Sequence, residues 1–327
     1  MKRIVIIIAS ILILIFGLFK GLEYWLEAKF ENIINTNPKR EYNIEYEKFN
    51  LHSFFQGIKL SGLSIHPLNK SSGTIITGDV KYAELSGFKW WKFLQDESVV
   101  VDRLSFIEPE FQINIQKKLE TVDQDSTSKT KPSGIQNLFG DIISRVGLNS
   151  FQIVNASLSR TQDDSLILGK MYNMNLFASD IKTDSIHLTH LVPFELKNLE
   201  VEIDSTYYRI NDYTKAKLGA IKYSIAEKSI SINDLSLDYS KNWISISQIR
   251  GIQDDVIEFN MKNLSISGIN YSSAFWTDLD IDASTMKIDS LNLFVRRNKK
   301  LQRPPDVRKP LFQGMVEKIP VKLDLDS

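Results

Sequence analysis

The residues that could perform acid–base or metal chemistry are few and poorly spaced for it. The chain has four histidines, which are His52, His66, His187 and His190. His187 and His190 are three residues apart, but their segment has the pattern of strand and loop, so this spacing does not put both imidazoles on one helical face as metal ligands. The aspartate pairs at 163–164 and 254–255 stand in turn-like contexts, where Asp commonly forms the turn. We therefore predict no metal site.

Other catalytic signatures are missing from the whole sequence. There is no cysteine, which excludes disulfides, thiol catalysis and cysteine-based metal sites. No phosphate-binding glycine loop, Gly-x-Ser-x-Gly turn or zinc-protease helix motif occurs. The 40 basic and 40 acidic residues balance, so no net charge attracts nucleic acid. We expect a protein that is not an enzyme, needs no cofactor and binds no nucleic acid.

The sequence does contain a repeated six-residue phrase of apolar, two polar, Leu, polar and apolar residues, with Gly counted as polar. It occurs at Leu60–Ile65 (LSGLSI), Val101–Phe106 (VDRLSF), Leu196–Val201 (LKNLEV), Ile232–Leu237 (INDLSL), Met261–Ile266 (MKNLSI) and Ile288–Leu293 (IDSLNL). With 43% hydrophobic residues, a shuffled chain would contain about one such phrase. The recurrence therefore indicates a repeated structural unit.

The phrase favours a β-strand over a helix, although a helix would use the same i, i+3 spacing. Ile, Val, Ser, Asn and Asp dominate its flanks, where a stable helix would need helix formers. Two consecutive polar residues re-phase the alternation, which a strand accommodates with a bulge or a short bend that keeps its apolar side chains on one face. A longer match between Leu85-Ser-Gly-Phe and Ile266-Ser-Gly-Ile indicates repeats that stack on their neighbours.

The N-terminus has the pattern of a membrane anchor. An apolar run from Ile4 to Phe19 extends around Lys20 to Leu22, and these 19 residues are enough to span a bilayer core. Lys2 and Arg3 favour a cytoplasmic N-terminus, with Tyr24 and Trp25 at the far interface. A cleaved signal peptide is the alternative, but no small-x-small cleavage site follows the run. We expect an uncleaved transmembrane anchor over residues 1–26.

The first β block is predicted over residues 27–116. A helix predicted from Glu23 to Asn37 continues from the anchor into this block, and Pro38 ends it. Its apolar stripe comprises Leu22, Trp25, Leu26, Phe30 and Ile33 or Ile34. From Tyr42 to Gln116 the pattern is β, interrupted at a turn by Trp90, Trp91 and Phe93. This aromatic cluster is either a hydrophobic plug at one end of the sheet or a surface that touches membrane or ligand.

The second β block follows a polar linker. Residues 117–134 have almost no apolar side chains and are expected to be a flexible loop. From residue 135 to 327 we expect an amphipathic helix and then continuing β repeats. Ile135, Leu138, Ile142 and Val146 recur at helical spacing, which predicts a short helix from Ile135 to Val146 against the sheet. Strands are predicted around Phe151–Leu158, Leu176–Ile181, Val192–Ile203, Ala216–Ile225, Ser229–Tyr239, Trp243–Ile249, Val256–Ile266, Leu279–Ile281 and Thr285–Val295.

The C-terminal part begins with a basic segment. It contains Arg296, Arg297, Lys299, Lys300, Arg303, Arg308 and Lys309. This segment is either a solvated loop or a patch for anionic lipid. The last residues, Val321 to Ser327, match the first half of the repeated phrase, so we expect an architecture that is cut short at its C-terminus.

The predicted fold is mainly β: an N-terminal transmembrane helix, then an elongated, twisted, mainly antiparallel repeating β-groove sheet with one short amphipathic helix. One helix is too little to cover about ten strands, so an apolar face larger than monomers normally expose would stay open for acyl chains. The predicted lipid-facing residues are Ile230, Ile232, Leu235, Leu237, Phe259, Met261, Leu264, Ile266, Ile288, Leu291 and Leu293. The alternative is a sheet that folds over and seals itself.

These features together resemble the AsmA-like envelope proteins of Gram-negative bacteria. The resemblance rests on the anchor, the Ser-Gly-aromatic turns, the strand end Phe106-Ile-Glu-Pro-Glu-Phe-Gln-Ile, the polar loop, the amphipathic helix and the resumed repeats. That family is similar to the bridge-like lipid transfer proteins, whose repeating units form an apolar trough. The resemblance implies an inner-membrane anchor, a periplasmic body and the handling of phospholipid for envelope or outer-membrane biogenesis.

The chain departs from that family in its shorter length, and a second function is compatible with the same pattern. A membrane-tethered periplasmic scaffold could recruit other envelope proteins without carrying lipid. A continuous apolar trough favours the lipid function, whereas a core sealed between two sheets favours the scaffold.

Overall fold

A computed structural model shows a mainly β protein, which confirms the predicted class. It describes residues 17, 20–32, 34–35, 42–51, 57–68, 74–96, 98–115, 146–163, 166–186, 194–271 and 282–303. These residues form one 13-stranded sheet, a separate two-stranded sheet and short helices.

The strands are β1 (Tyr42–Glu45), β2 (Lys48–Leu51), β3 (Gly57–Pro67), β4 (Thr74–Ser86), β5 (Val99–Ile115), β6 (Val146–Gln162), β7 (Leu166–Ser179), β8 (Lys182–Ile186), β9 (Phe194–Glu195), β10 (Asn198–Asn211), β11 (Thr214–Leu218), β12 (Ile221–Ser224), β13 (Ser229–Tyr239), β14 (Asp255–Asn270) and β15 (Asp282–Arg297). The helices are α1 (Trp90–Asp96) and α2 (Trp243–Arg250), together with an N-terminal helix that includes residues 20–32 and 34–35.

The large sheet grows by serial addition of strands, in the order β1-β3-β4-β5-β6-β7-β10-β11-β13-β14-β15. β2 follows β1 beside β3, and β12 follows β11 between β10 and β13. Among the described strand pairs, β5 with β6 is parallel and the others are antiparallel. β8 and β9 pair only with each other. The sheet is therefore a mixed but mainly antiparallel one.

One line across the large sheet, which we call the central crease, re-phases the alternation of each long strand and falls between β1 and β2 and between β11 and β12. We call the face of the sheet that bears the buried side chains of Phe106 and Ile153 the inner face. At the crease, two residues whose side chains point to the inner face are separated by two residues whose side chains do not. The flanking pairs are Tyr46/Phe49, Leu60/Leu63, Val80/Ala83, Phe106/Pro109, Ile153/Ala156, Met171/Met174, Ile203/Thr206, Leu218/Ile221, Ile232/Leu235, Met261/Leu264 and Ile288/Leu291. The crease therefore keeps apolar side chains on one face along the whole sheet.

The crease is a bend and not a bulge in most strand pairs. Between β14 and β15, Met261 pairs with Leu291 and Leu264 pairs with Ile288, so the register continues without a shift because both strands re-phase together. Register shifts at the crease occur between β6 and β7. Asp234 and Ser290 each adopt a φ of 50° on this line, a left-handed conformation that turns the strand within one residue.

A second line, the end crease, crosses the sheet nearer to one set of strand ends. Its pairs are Leu85/Phe88, Val101/Leu104, Leu148/Phe151, Ala178/Ile181, Leu196/Leu199 and Ile266/Ile269. Of the six predicted phrases, the two that begin at Val101 and Leu196 lie on the end crease. The other four lie on the central crease.

The inner face of β1–β6 is covered, and we call this part of the sheet the sealed half. The N-terminal helix packs Leu26, Phe30 and Ile34 into its core, and each of these side chains is at most 4% exposed. α1 adds Phe93, which is 1% exposed. The predicted helical spacing therefore does form a packing stripe, although Leu22 and Trp25 of that stripe are exposed.

α1 is the aromatic cluster for which the sequence allowed two interpretations. The rings of Phe93 and Trp90 lie 5.2 Å and 4.4 Å from the ring of Phe88, so these side chains plug the end of the core. Trp91 points away and is 76% exposed. The cluster is both a plug and an exposed surface.

The predicted strand from Trp243 to Ile249 is wrong, since this segment is α2. The Asn242 side chain accepts a hydrogen bond of 2.9 Å from the Ser245 N–H, and Gly251 ends the helix with a φ of 70°. These two caps stabilise a helix despite the alternating pattern. α2 packs against β14, where Ile246 and Val256 are fully buried.

Several predictions fall outside the described residues. They are the anchor up to residue 19 except residue 17, the loop 117–134, the helix from 135 to 145, the strand at 279–281 and the segment 321–327. The predicted helix is wrong at its last residue, since Val146 begins β6 and pairs with Val99. Within the part of the chain that the structure describes, no helix has the length and apolar character needed to cross a membrane.

Candidate functional site

The inner face carries an unbroken apolar row from strand to strand. Cross-strand partners lie on the same face of a sheet, so the pairing register identifies each row. One row runs through Phe106, Ile153, Leu176, Val201, Tyr223, Ile230, Ile266 and Met286. The next row runs through Met174, Ile203, Ile221, Ile232, Leu264 and Ile288. The sealed half and the strands beyond it therefore share one continuous surface.

The predicted lipid-facing residues all lie on this surface. Ile230, Ile232, Leu264, Ile266 and Ile288 belong to the two rows above. Across the central crease, Leu235, Met261 and Leu291 form a third row. Leu237, Phe259 and Leu293 lie two residues farther along the same strands and form the next row. The structure brings the whole predicted set together.

Exposure of this surface is low in the first strands and highest in β15. In β5 and β6, Leu104 and Phe151 are 4% and 3% exposed. In β13 and β14, Ile232 and Leu264 are half-buried, whereas Met261 is 4% exposed. In β15, exposure rises from 42% at Met286 to 58% at Val295. We call the inner face of β10–β15 the open half.

The open half has almost no charge. Its described inner-face residues in β10–β15 are apolar, Thr or Tyr, up to the ion pair of Arg297 and Asp255 at the strand end, with 2.6 Å between Nε and Oδ1. The Tyr239 hydroxyl donates to the Ile257 carbonyl at 2.5 Å. Burial raises the pKa of Tyr239, and burial followed by a hydrogen bond with Tyr271 raises the pKa of Tyr223. These phenols stay neutral at physiological pH.

The opposite face of the same strands is polar and charged. Ion pairs there join Lys222 to Glu202 at 3.0 Å and Lys217 to Asp238 at 2.7 Å. Arg296 of the predicted basic segment pairs with Glu258 at 3.1 Å. The segment is therefore not simply a solvated loop, because Arg296 and Arg297 form ion pairs with Glu258 and Asp255 of β14. The contrast between the faces makes the inner face the candidate site.

The cover of the sealed half includes an acidic stretch. The Leu51 N–H donates to Glu23 Oε1 at 3.3 Å, which ties the N-terminal helix to β2. Burial raises the pKa of the Glu27 carboxyl above its usual 4.5, and the neighbouring charges of Glu23 and Glu31 raise it further. This helix is therefore held in place at some electrostatic cost.

The described residues offer little for metal or acid–base chemistry. His66 is the one histidine among them and is exposed on β3. Asp163 has a φ of 48° in the turn after β6, and Asp254 pairs with Arg250 at 2.6 Å. No group of three or more potential metal ligands is assembled within the described ranges.

The predicted lipid-facing set left out the middle of the surface, in β7 and β10–β12. The strict phrase required Leu at its fourth position, so it excluded the crease pairs Met171/Met174 and Leu218/Ile221. A looser pattern, with two non-inward residues between any two apolar ones, would have found them.

No family model matches the chain, and no curated protein matches its sequence.

Proposed function

We propose that this protein is a membrane-anchored β-groove protein whose open half binds the acyl chains of phospholipid. By its resemblance to AsmA-like proteins, it would be anchored in the inner membrane, extend into the periplasm and handle phospholipid for envelope biogenesis. One observation carries the proposal: an apolar face with almost no charge that continues from a sealed core onto strands where it is exposed.

The dimensions of the open half suit an acyl chain. Its five strand positions, spaced by about 4.8 Å, give an apolar path of roughly 19 Å across the strands. One leaflet of a bilayer core is about 15 Å thick, so a lipid tail would lie along this path without leaving it. Each methylene moved from water onto such a surface contributes about 0.8 kcal/mol.

A charge placed on the inner face tests lipid binding. Leu291→Asp puts a carboxylate on the open half, whereas Asn292→Asp puts one on the opposite face of the same strand. Both residues are exposed, and both belong to β15. We expect purified Leu291→Asp protein to lose most co-purifying phospholipid, measured by mass spectrometry, and Asn292→Asp protein to keep it. A photo-crosslinker at Leu264 should capture lipid.

Two outcomes would contradict the proposal. If the unmodified protein carries no phospholipid, and crosslinkers at Leu264 capture only protein, the scaffold function replaces lipid handling. If both aspartate variants lose lipid equally, the inner face is not the binding surface.

The membrane anchor has a separate test. The charge asymmetry around the apolar run predicts that a reporter fused after Ser327 lies on the far side of the membrane. A reporter that is active only after export should be active there. Activity of a cytoplasm-dependent reporter at the same position would refute the anchor.

A further inference from the structure

Exposed aromatic and aliphatic side chains gather where the N-terminal helix meets α1. We call them the aromatic patch: Leu22 (39% exposed), Trp25 (46%), Trp91 (76%) and Leu94 (44%). Lys29 shows that the two helices are neighbours, because its Nζ lies 5.6 Å from the centroid of the Trp25 ring and 5.8 Å from that of the Phe93 ring.

The fold does not need these side chains. The N-terminal helix packs onto the sealed half through Leu26, Phe30 and Ile34, and α1 does so through Phe93. The aromatic patch lies outside that core. Two tryptophans and two leucines grouped in water are unfavourable unless something covers them.

We propose that the aromatic patch rests in the interfacial layer of the bilayer, so that α1 is a second membrane contact beside the anchor. This inference rests on the proposed anchorage of residues 1–26. Trp25 follows Leu22, where the apolar run ends, by three residues, or about 4.5 Å along a helix. The interfacial layer on each side of a bilayer core is roughly 6 Å thick, so Trp25 falls within it.

The chemistry of the patch matches that layer. Trp and Tyr favour the interface because each combines an apolar ring with one polar group. Lys29 lies beside the patch, and Lys92 is exposed on α1, where an ammonium can contact lipid phosphate. α1 lies far from the anchor in sequence, but the fold puts it beside the N-terminal helix, where Phe93 is next to Lys29.

A second contact orients the sheet. α1 connects the end of β4 to the start of β5, so these strand ends would face the bilayer and the opposite strand ends would point away from it. An anchor alone would let the body rotate about one helix.

Single cysteines test the contact, because the chain has none of its own. Leu94→Cys and Ile244→Cys would each carry a nitroxide label in the full chain, reconstituted in phosphatidylcholine–phosphatidylglycerol vesicles. Ile244 is the matched control, since it is 46% exposed on α2, at the opposite strand ends. Collision rates with oxygen and with a water-soluble nickel complex report membrane depth. We expect the oxygen-to-nickel ratio to be several-fold higher at residue 94 than at residue 244.

The outcomes separate this inference from the proposed function. Equal ratios at the two sites in protein that floats with the vesicles would overturn the membrane contact and leave anchorage and lipid binding standing. Protein that fails to float would overturn both anchorage and contact. A high ratio at residue 94 that falls to the control value in the Trp25→Ser, Trp91→Ser background would support the patch as its cause.

Discussion

Shortening a leucine to alanine should have different costs on the two halves of the same apolar face. Leu104 lies in the sealed half and is 4% exposed, whereas Leu293 lies in the open half and is 53% exposed. Each substitution removes three carbon groups, worth about 2.4 kcal/mol when fully buried.

The expected costs follow from burial and from the space left behind. Leu104 pairs with Leu85 and Phe151, so its removal leaves a cavity, and we expect a loss of about 3–4 kcal/mol of unfolding free energy. About half of Leu293 already contacts water, which can fill the vacated space, so we expect a loss of about 1 kcal/mol. Leu264→Ala, in a half-buried position between two strands, should fall between these values and controls for the edge position of Leu293.

The assay is urea unfolding of the full chain in lipid nanodiscs, followed by far-ultraviolet circular dichroism. Midpoints compare stabilities directly if the denaturant slope is unchanged among the variants. A loss at Leu293 as large as that at Leu104, if it persists in protein stripped of co-purifying lipid, would show that the open half is covered by protein. In that case the argument for lipid binding from exposure would fail.

Three further predictions concern local features, each measured by the same unfolding assay. Glu27→Gln should stabilise the protein at neutral pH. The pKa of Glu27 is raised in the folded state, so the folded state binds the proton more tightly and the protein loses stability as pH rises above 4.5. The advantage of the variant over wild type should vanish below pH 4.5, and an advantage independent of pH would contradict this prediction. Gly268→Ala should cost more unfolding free energy than Gly251→Ala. Both glycines have a φ near 70°, a conformation that costs a residue with a side chain about 1 kcal/mol. Of the two, only Gly268 would place the new Cβ within 3 Å of another side chain, that of Ser284. Asn242→Ala should cost about 1 kcal/mol through loss of the α2 cap, and no loss would show that packing alone holds α2.

The repeated phrase determined much of the fold by itself. Alternation depends on residues two apart, so the sequence specified which segments are strands and which side chains share a face. The two polar residues in each phrase specified where alternation re-phases. For this reason the predicted set from Ile230 to Leu293 lies together on one surface.

Local patterns failed where short-range capping competes with alternation. Trp243 to Ile249 alternates like a strand, but the caps at Asn242 and Gly251 favour a helix. Val146 fits a helical stripe, but pairing with β5 places it in a strand. Neither competition can be decided from the periodicity of one segment.

Only the tertiary structure decided which part of the face is covered. Leu104 and Leu293 occupy similar phrases, and nothing in their local sequence distinguishes them. Leu104 is buried because the N-terminal helix and α1 pack onto the first strands, whereas Leu293 lies on the last described strand of the sheet and remains exposed. Burial depends on contacts between residues far apart in the chain, so the division into a sealed and an open half appears only in the folded molecule.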